Sequence, residues 1–285
     1  VSGEGRGPAP DHKAAEVALH QKLAAHYRRR YGSDFSSVFQ SFWNRELLDL
    51  IPGGAPGPAL DAGCGTGILL GDLAGRFEEV YGVDLSPDML AQVRVGSPRL
   101  KEVRVGDIEA TGFPDGFFGT VVCRGSLHHA ASRDRAFAEM GRIVRGGGFL
   151  ALTEPSDDFP PVRWARAALY RASSHFDVHD RAFRLRDLRT LLDRAGFDVA
   201  AVKRFGYLSY LLAGFPDILP VMPYLPGRVG LTRALTRLDA RLSRAPGLRI
   251  ASFHLMVLAR RRGPRPARAD GADGADGPES RPGAP

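Results

Sequence analysis

The sequence predicts an α/β fold, a mostly parallel sheet with helices on both faces. Three observations carry this. The stretch Ala59-Leu60-Asp61-Ala62-Gly63-Cys64-Gly65-Thr66-Gly67 is an apolar run, an acid and alternating glycines. Ile68, Leu69, Leu70, Leu73, Ala74 and Phe77 then follow at helical spacing, so the segment reads as strand, tight turn, helix. Short β-rich runs and helical stripes go on alternating along the chain, as a parallel sheet with helical crossovers requires. Acids stand at or just beyond three strand ends, Asp61, Asp84 and Asp107, on the edge where open α/β sheets bind ligands.

Taken in order, residues 1–12 are rich in Gly and Pro and are expected to be disordered. Residues 13–55 are expected to form an N-terminal cap of two helices. Ala14, Val17, Ala18, Leu23 and Ala24 mark the first; Phe39, Phe42, Trp43, Leu47, Leu48 and Ile51 mark the second. Tyr27, Tyr31, Phe35, Phe39 and Trp43 are candidates to line a pocket, with ordinary helix packing the competing reading for Phe39 and Trp43. The sheet domain spans 56–262, with strands expected at 58–62, 79–84, 101–105, 118–123, 149–153, 197–204 and 250–259. A helix is expected over 66–77. Another opens with Ser86 as N-cap and Pro87 at the first helical position. Arg135 to Val144 is a third, ended by Gly146-Gly147-Gly148, and Leu185 to Ala195 a fourth, closed by Gly196. Stretches near 155–183 and 207–247 break the alternation and are expected to be cap insertions. Residues 263–285, with Gly-Ala-Asp repeated, are expected to be a disordered tail.

The glycine turn is informative in its spacing. A dinucleotide fingerprint needs G-x-G-x-x-G with pyrophosphate at the helix N-terminus. Here Gly67 comes one residue early, and Asp61 before the turn suits a cationic ligand better than a pyrophosphate. Asp84 follows the turn by roughly 20 residues, the spacing of a ribose-binding carboxylate. One ionised carboxylate can accept from both vicinal hydroxyls.

Together with Val83-Asp84, Gly106-Asp107-Ile108, Leu127-His128-His129 and Arg145-Gly146-Gly147-Gly148, the run Leu60 to Gly67 resembles the class I S-adenosylmethionine (SAM)-dependent methyltransferases. The closest likeness is to the small-molecule, UbiE-like (methyltransferase type 11) branch. It is strong over residues 56–154 and looser to about 260. The resemblance implies a Rossmann-like sheet of seven strands with the last antiparallel, SAM as cofactor and S-adenosylhomocysteine as product. It implies that Asp61, Gly63, Cys64, Gly65 and Gly67 meet the cofactor, with Asp84 and Leu85 at the ribose. Asp107 then accepts from the adenine amino group, the backbone of Ile108 meets the ring, and main chain at Arg124 and Gly125 meets the methionine part. Family members join their last two strands by a short hairpin, whereas roughly 40 residues intervene here.

The implied function is methyl transfer to an oxygen, or an activated carbon, of a small hydrophobic metabolite in secondary-metabolite, lipid or quinone biosynthesis. Such a nucleophile needs a base or must arrive ionised. His129, His128 and Glu154 are the candidates at the right edge, histidine because its pKa lies near neutrality. A capping or orienting role for His129 remains open. The alternative function is a SAM-binding protein of the same fold that catalyses a non-methylating reaction such as cyclisation, or a non-catalytic SAM-binding subunit. His175 and His179 stand four apart beside Asp177 and Asp180, but no fixed ligand set accompanies them, so no metal is expected.

Composition narrows the partners. In 285 residues, 39 Lys and Arg against 32 Asp and Glu give a net charge of +7, which favours an anionic partner. No basic patch interleaved with aromatics is present, so nucleic acid is not expected. Two cysteines, Cys64 and Cys123, exclude a disulfide framework and suit a reducing cytoplasm. No N-terminal apolar run resembles a signal peptide, and prolines break the apolar stretch 207–226. Leu231, Leu235, Leu238 and Leu242 form one helical stripe opposite Arg233, Arg237, Arg241 and Arg244. The leucines are expected to pack on the core as a lid. A weak peripheral contact with an anionic membrane is the sharper alternative.

Overall fold

The computed structural model describes residues 32–55, 57–171, 182–214 and 220–263. The first predicted helix, both terminal segments, Tyr27, Tyr31 and the His175 to Asp180 cluster lie outside these residues.

Seven strands form one sheet: β1 (Ala59–Ala62), β2 (Val80–Asp84), β3 (Leu100–Val105), β4 (Phe118–Arg124), β5 (Val144–Pro155), β6 (Phe197–Phe205) and β7 (His254–Arg261). Their order is β3-β2-β1-β4-β5-β7-β6. β1 to β5 run parallel, and β7 lies antiparallel between β5 and β6. The fold is therefore the predicted α/β Rossmann-like sheet with an antiparallel last strand. The chain reverses its direction of growth between β1 and β4, which opens a crevice at their carboxyl ends.

Alternation along each strand sends side chains to opposite faces. Leu150, Leu152, Leu255, Val257 and Ala259 enter one core with Phe137, Met140, Leu188 and Leu192. Those partners come from α4 (Arg133–Ile143) and α6 (Leu185–Arg194). Ala151, Met256 and Leu258 enter the other core with Phe39, Trp43, Leu47, Leu70 and Leu73. Those come from α1 (Asp34–Leu48) and α2 (Leu70–Ala74). α4 and α6 approach closely at Gly141, where a Cβ would lie 2.4 Å from the Ala195 carbonyl oxygen.

Four expectations need correcting. The helix after the glycine turn begins at Leu70 rather than near 66, because Gly67 holds φ at +81° and keeps residues 66–69 in turns. The three glycines after α4 do not form a loop but lie inside β5, where the pairing with β4 shifts register between Phe118 and Thr120. The last strand starts at His254, and Leu248–Ala251 is a 3₁₀ turn ahead of it. The fourth correction concerns α7 (Arg228–Leu242). Its buried face is Thr232, Thr236, Asp239 and Ala240, not the leucines. Leu231 and Leu238 are 37% and 40% exposed. Asp239 explains the rotation: its Oδ2 accepts from the Tyr207 and Ser209 backbone N–H groups and from the Ser209 hydroxyl. A carboxylate so engaged turns the helix about its axis and leaves the leucines at the flank.

Short α3 (Pro87–Leu90) starts as expected, with Ser86 Oγ accepting from the Met89 N–H. α5 (Pro160–Arg171) stands in the segment after β5. Phe35, Phe39 and Trp43 are buried in the core, with Trp43 packed on Phe205 at 4.6 Å between ring centroids. Their position matches helix packing more than an open pocket wall.

Candidate active site

The carboxyl edge of β3-β2-β1-β4 carries the acids in register. Asp61 sits on β1, and its neighbour Ala62 pairs with Val83 of β2. Asp84 ends β2 and pairs with Val105 of β3. Asp107 follows two residues later. On the other side of β1, Arg124 ends β4 and pairs with Thr153 of β5. Parallel pairing thus sets three acids and one arginine side by side along one edge.

The glycine turn is stitched under this edge. Gly63 and Cys64 N–H both donate to the Val83 carbonyl, at 2.8 and 3.0 Å. Gly63 has φ +78°, and a Cβ there would sit 2.3 Å from Ser126 Cβ. Ser126 Oγ in turn donates to the Ala62 carbonyl at 2.7 Å. Only glycine lets the turn lie this close to the loop after β4. Gly65 N–H donates to Asp84 Oδ2 at 2.7 Å, and Ser86 N–H to Oδ1 at 2.9 Å. Asp84 is thereby held rigidly with lone pairs remaining on both oxygens, as vicinal hydroxyls require. Leu85 is half-buried beside it. Asp107 Oδ1 accepts from the Glu109 N–H at 2.8 Å, so this acid does cap its own turn, and Ile108 follows it half-buried.

Asp61 is 2% exposed, and its Oδ1 has no hydrogen-bond partner. A buried orphan carboxylate oxygen is costly unless a ligand completes it. Burial pushes this carboxyl up to about 7, Arg124 pulls it down and the neighbouring Asp84 adds to the rise. A cationic group bound there would satisfy the oxygen and draw the carboxyl back to its ionised form. Cys64 is buried, and burial first, then Asp61 and Asp84, push its thiol well above the usual range. It is a packing residue beside the acids, not a nucleophile.

A second group lies across the crevice. Glu154 on β5 is fully buried; its Oε1 accepts from the Leu127 N–H at 2.9 Å, and Oε2 lies 2.7 Å from His128 Nδ1. Burial pushes the Glu154 carboxyl up to about 8, against the backbone N–H of Leu127 and nearby positive charge. The pair holds a proton between them at neutral pH. The His129 ring lies 3.9 Å from that of His128. Of the three residues predicted for proton chemistry, Glu154 therefore stands behind His128 rather than facing the crevice.

Sequence reasoning passed over two residues here. Gln40 of α1 is 5% exposed and accepts from Arg124 Nη2, which ties the helix over the edge. Its signal was present: Ser36, Gln40 and Asn44 recur every four residues, a polar row beside the aromatic row Phe35, Phe39, Trp43, and all three are buried. The other is His254 at the start of β7. Its Nδ1 is enclosed without a partner, and its ring packs on Tyr210 and Phe205 at 4.4 and 5.0 Å. Burial, then the charges of Arg166, His128 and Arg124, hold it well below the usual histidine range, so the ring stays neutral. A lone histidine opening the last strand gave no sequence signal.

A glycine turn at a switch point, a staircase of acids and an orphan buried carboxylate define a site for a nucleoside cofactor that carries positive charge. Comparison with known proteins agrees. A family model described as "Methyltransferase domain" matches residues 60–152. The chain is 31% identical over 200 residues to a malonyl-[acyl-carrier protein] O-methyltransferase of Geobacter sulfurreducens, covering 66% of this chain and 71% of that protein. It is 36% identical over 134 residues to a demethylmenaquinone methyltransferase of Thermus thermophilus, covering 45% of this chain and 60% of that one. It spans about half, 47%, of an uncharacterized 37.1 kDa transposon protein of Streptomyces fradiae, at 34% identity over 55% of this chain. Its fold matches that of the [4+2]-cyclase SpnF with a TM-score of 0.63, at 18% identity, covering 90% of this chain and 99% of that one. The chain belongs to the class I SAM-dependent methyltransferases, in the UbiE-like branch. SAM is accordingly its cofactor and S-adenosylhomocysteine the product form. No helix among the described residues is long and apolar enough to cross a membrane.

One prediction follows from Asp61. Its carboxyl titrates near 7 without cofactor, and the cation prefers the ionised form. SAM affinity is expected to weaken as pH falls, by about tenfold from about pH 8 to about pH 6, because the ionised fraction falls by that factor. In Asp61→Asn the affinity is lower throughout and flat with pH. Calorimetry at three pH values checks this; an unchanged slope in the variant removes Asp61 from the site.

Proposed function

We propose that this chain transfers the methyl group of SAM to an oxygen, or an activated carbon, of a small hydrophobic acceptor, with His128 as the base. The observation that carries this is the His128–Glu154 pair, which stands on the same sheet edge as the cofactor residues. Asp61 and the glycine turn hold the amino-acid end of the cofactor, Asp84 the ribose and Asp107 with Ile108 the adenine. Arg124 and Gly125 close the methionine side. When bound, SAM supplies an electrophilic methyl group on a sulfonium.

The protein's part is to hold the acceptor in line and to exclude water. His128 Nδ1 is committed to Glu154, so proton removal from the acceptor uses Nε2. Once ionised, Glu154 fixes the tautomer with the proton on Nδ1, leaves Nε2 free and stabilises the imidazolium that forms. Nearby His254 and Tyr210, half-buried and packed on each other, offer an aromatic surface for a greasy acceptor. The relatives' names, an acyl-carrier O-methyltransferase and a demethylmenaquinone methyltransferase, support an acceptor of this class in lipid, quinone or secondary-metabolite biosynthesis.

Incubation with deuterated-methyl SAM and a library of apolar phenols, enols and carboxylic acids tests the reading. The expected result is label in a small apolar product. Label in protein or RNA alone overturns it. Conversion of an acceptor without label transfer places the chain instead among proteins of this fold that use bound SAM for another reaction, such as cyclisation.

A further inference from the structure

Among the described residues, seven of the nine exposed large apolar side chains, all but Val105 and Trp164, belong to residues 207–250. They are Leu208, Val221, Tyr224, Leu231, Leu238, Leu248 and Ile250, with Tyr224 at 82% exposure. Single exposed leucines are ordinary, but their concentration in one segment is not. The same segment is strongly basic. Arg233, Arg237, Arg241, Arg244 and Arg249 are all exposed. Among the described residues of this segment the one acid is Asp239, which is fully buried and turned inward.

α7 shows how the two features combine. At about 100° per residue, the buried Thr232, Thr236, Asp239 and Ala240 set one side of the helix. Leu231, Leu235, Leu238 and Leu242 lie along one flank, while Arg233, Arg237, Arg241 and Arg244 lie along the other. The outward face is therefore half apolar and half cationic. The helix is also anchored from behind by Asp239, and at its start Arg228 pairs at the surface with Asp34 of α1 at 2.8 Å. Such a rigid face cannot fold its leucines away.

We propose that this face docks on an anionic lipid bilayer, with the leucine flank and Tyr224 in the acyl–headgroup boundary and the arginines at the lipid phosphates. Charge complementarity selects the occupant. A protein partner with an apolar groove would account for the leucines but not for five arginines with no exposed acid among the described residues around them. A bilayer accounts for both, since leucine inserts shallowly and guanidinium groups snorkel to phosphate. Docking would bring an apolar acceptor to the enzyme from the phase in which it dissolves. The proposal concerns binding and is read without any turnover, so it stands or fails apart from the acceptor chemistry.

Co-sedimentation of the full chain with vesicles tests it. Vesicles of phosphatidylcholine with about a third phosphatidylglycerol should retain the protein, and pure phosphatidylcholine should not. Changing Arg233, Arg237 and Arg241 together to Gln should lower partitioning by about 100-fold, at roughly a fivefold loss per charge near the surface. Tyr224→Ser with Leu238→Ser should also release it, because charge alone does not insert. These sites are exposed, so melting temperature and SAM affinity should match the parent chain. Equal sedimentation with both vesicle types, or retention of the triple Gln variant, overturns the proposal. So does a dimer in solution that depends on Tyr224 and Leu238 with no vesicle binding.

Discussion

Replacing Glu154 by Gln is expected to lower turnover about 100-fold or more while leaving SAM affinity within about twofold, the loss typical of a misplaced general base. The fold should tolerate the change, since the amide oxygen can still accept from the Leu127 N–H. The amide nitrogen would then face His128 Nδ1 and donate to it. That fixes the imidazole proton on Nε2, where the acceptor's proton has to go, and the base becomes a donor. His128→Ala should cost a similar factor, and the double variant little more, because the two act as one unit. The sign with pH is also defined. Below about pH 8, the value to which burial has raised Glu154, the pair carries one more proton and Nε2 is occupied, so turnover should rise with pH and level off above that value. An acceptor that arrives already ionised would be indifferent to both variants. Steady-state kinetics beside calorimetry decides this: unchanged turnover in Glu154→Gln removes His128 as base.

Asp84→Ala should weaken SAM by about 30-fold or more, the loss of a charged hydrogen-bond acceptor worth roughly 2 kcal/mol or above. The same change removes the partner of the Gly65 and Ser86 N–H groups, so the glycine turn loosens too. Two readouts separate these effects. A lower melting temperature without cofactor reports the turn, and the calorimetric constant reports the ribose. Asp84→Asn keeps one accepting oxygen and should fall between parent and Ala. If Asp84→Ala binds SAM as the parent chain does, the ribose lies elsewhere.

Much of this architecture was legible because it rests on local rules. The glycine turn, the strand-end acids and the Ser86-Pro87 helix start each depend on a few consecutive residues, and the sheet follows from their alternation. What escaped was set by contacts distant in sequence. The leucine stripe of α7 is a sound amphipathic signal, yet Asp239 outbids it by binding Tyr207 and Ser209 about 30 residues earlier. Glu154 and His128 were both legible as candidates, but not as a pair, since they are 26 residues apart and meet only through β4–β5 pairing. Gln40 reaches Arg124 across 84 residues. The glycines at 146–148 read as a loop because nothing local shows that β4 shifts register to receive them.

The placement of β7 has a consequence for how the molecule is made. Among the described residues β6 pairs with β7 alone, and β7 is the last of the seven strands. During synthesis β1 to β5 can pair as they emerge, each beside a strand already present. β6 must wait undocked for about 50 further residues, until β7 slides between it and β5. The cofactor half of the crevice can thus mature early in synthesis, while the wall that carries His254 closes only once β7 has followed. In that interval the β5 edge and the apolar face of β6 are bare, which makes this the stage at which a chaperone, or an early-bound cofactor, would most improve the yield of folded enzyme.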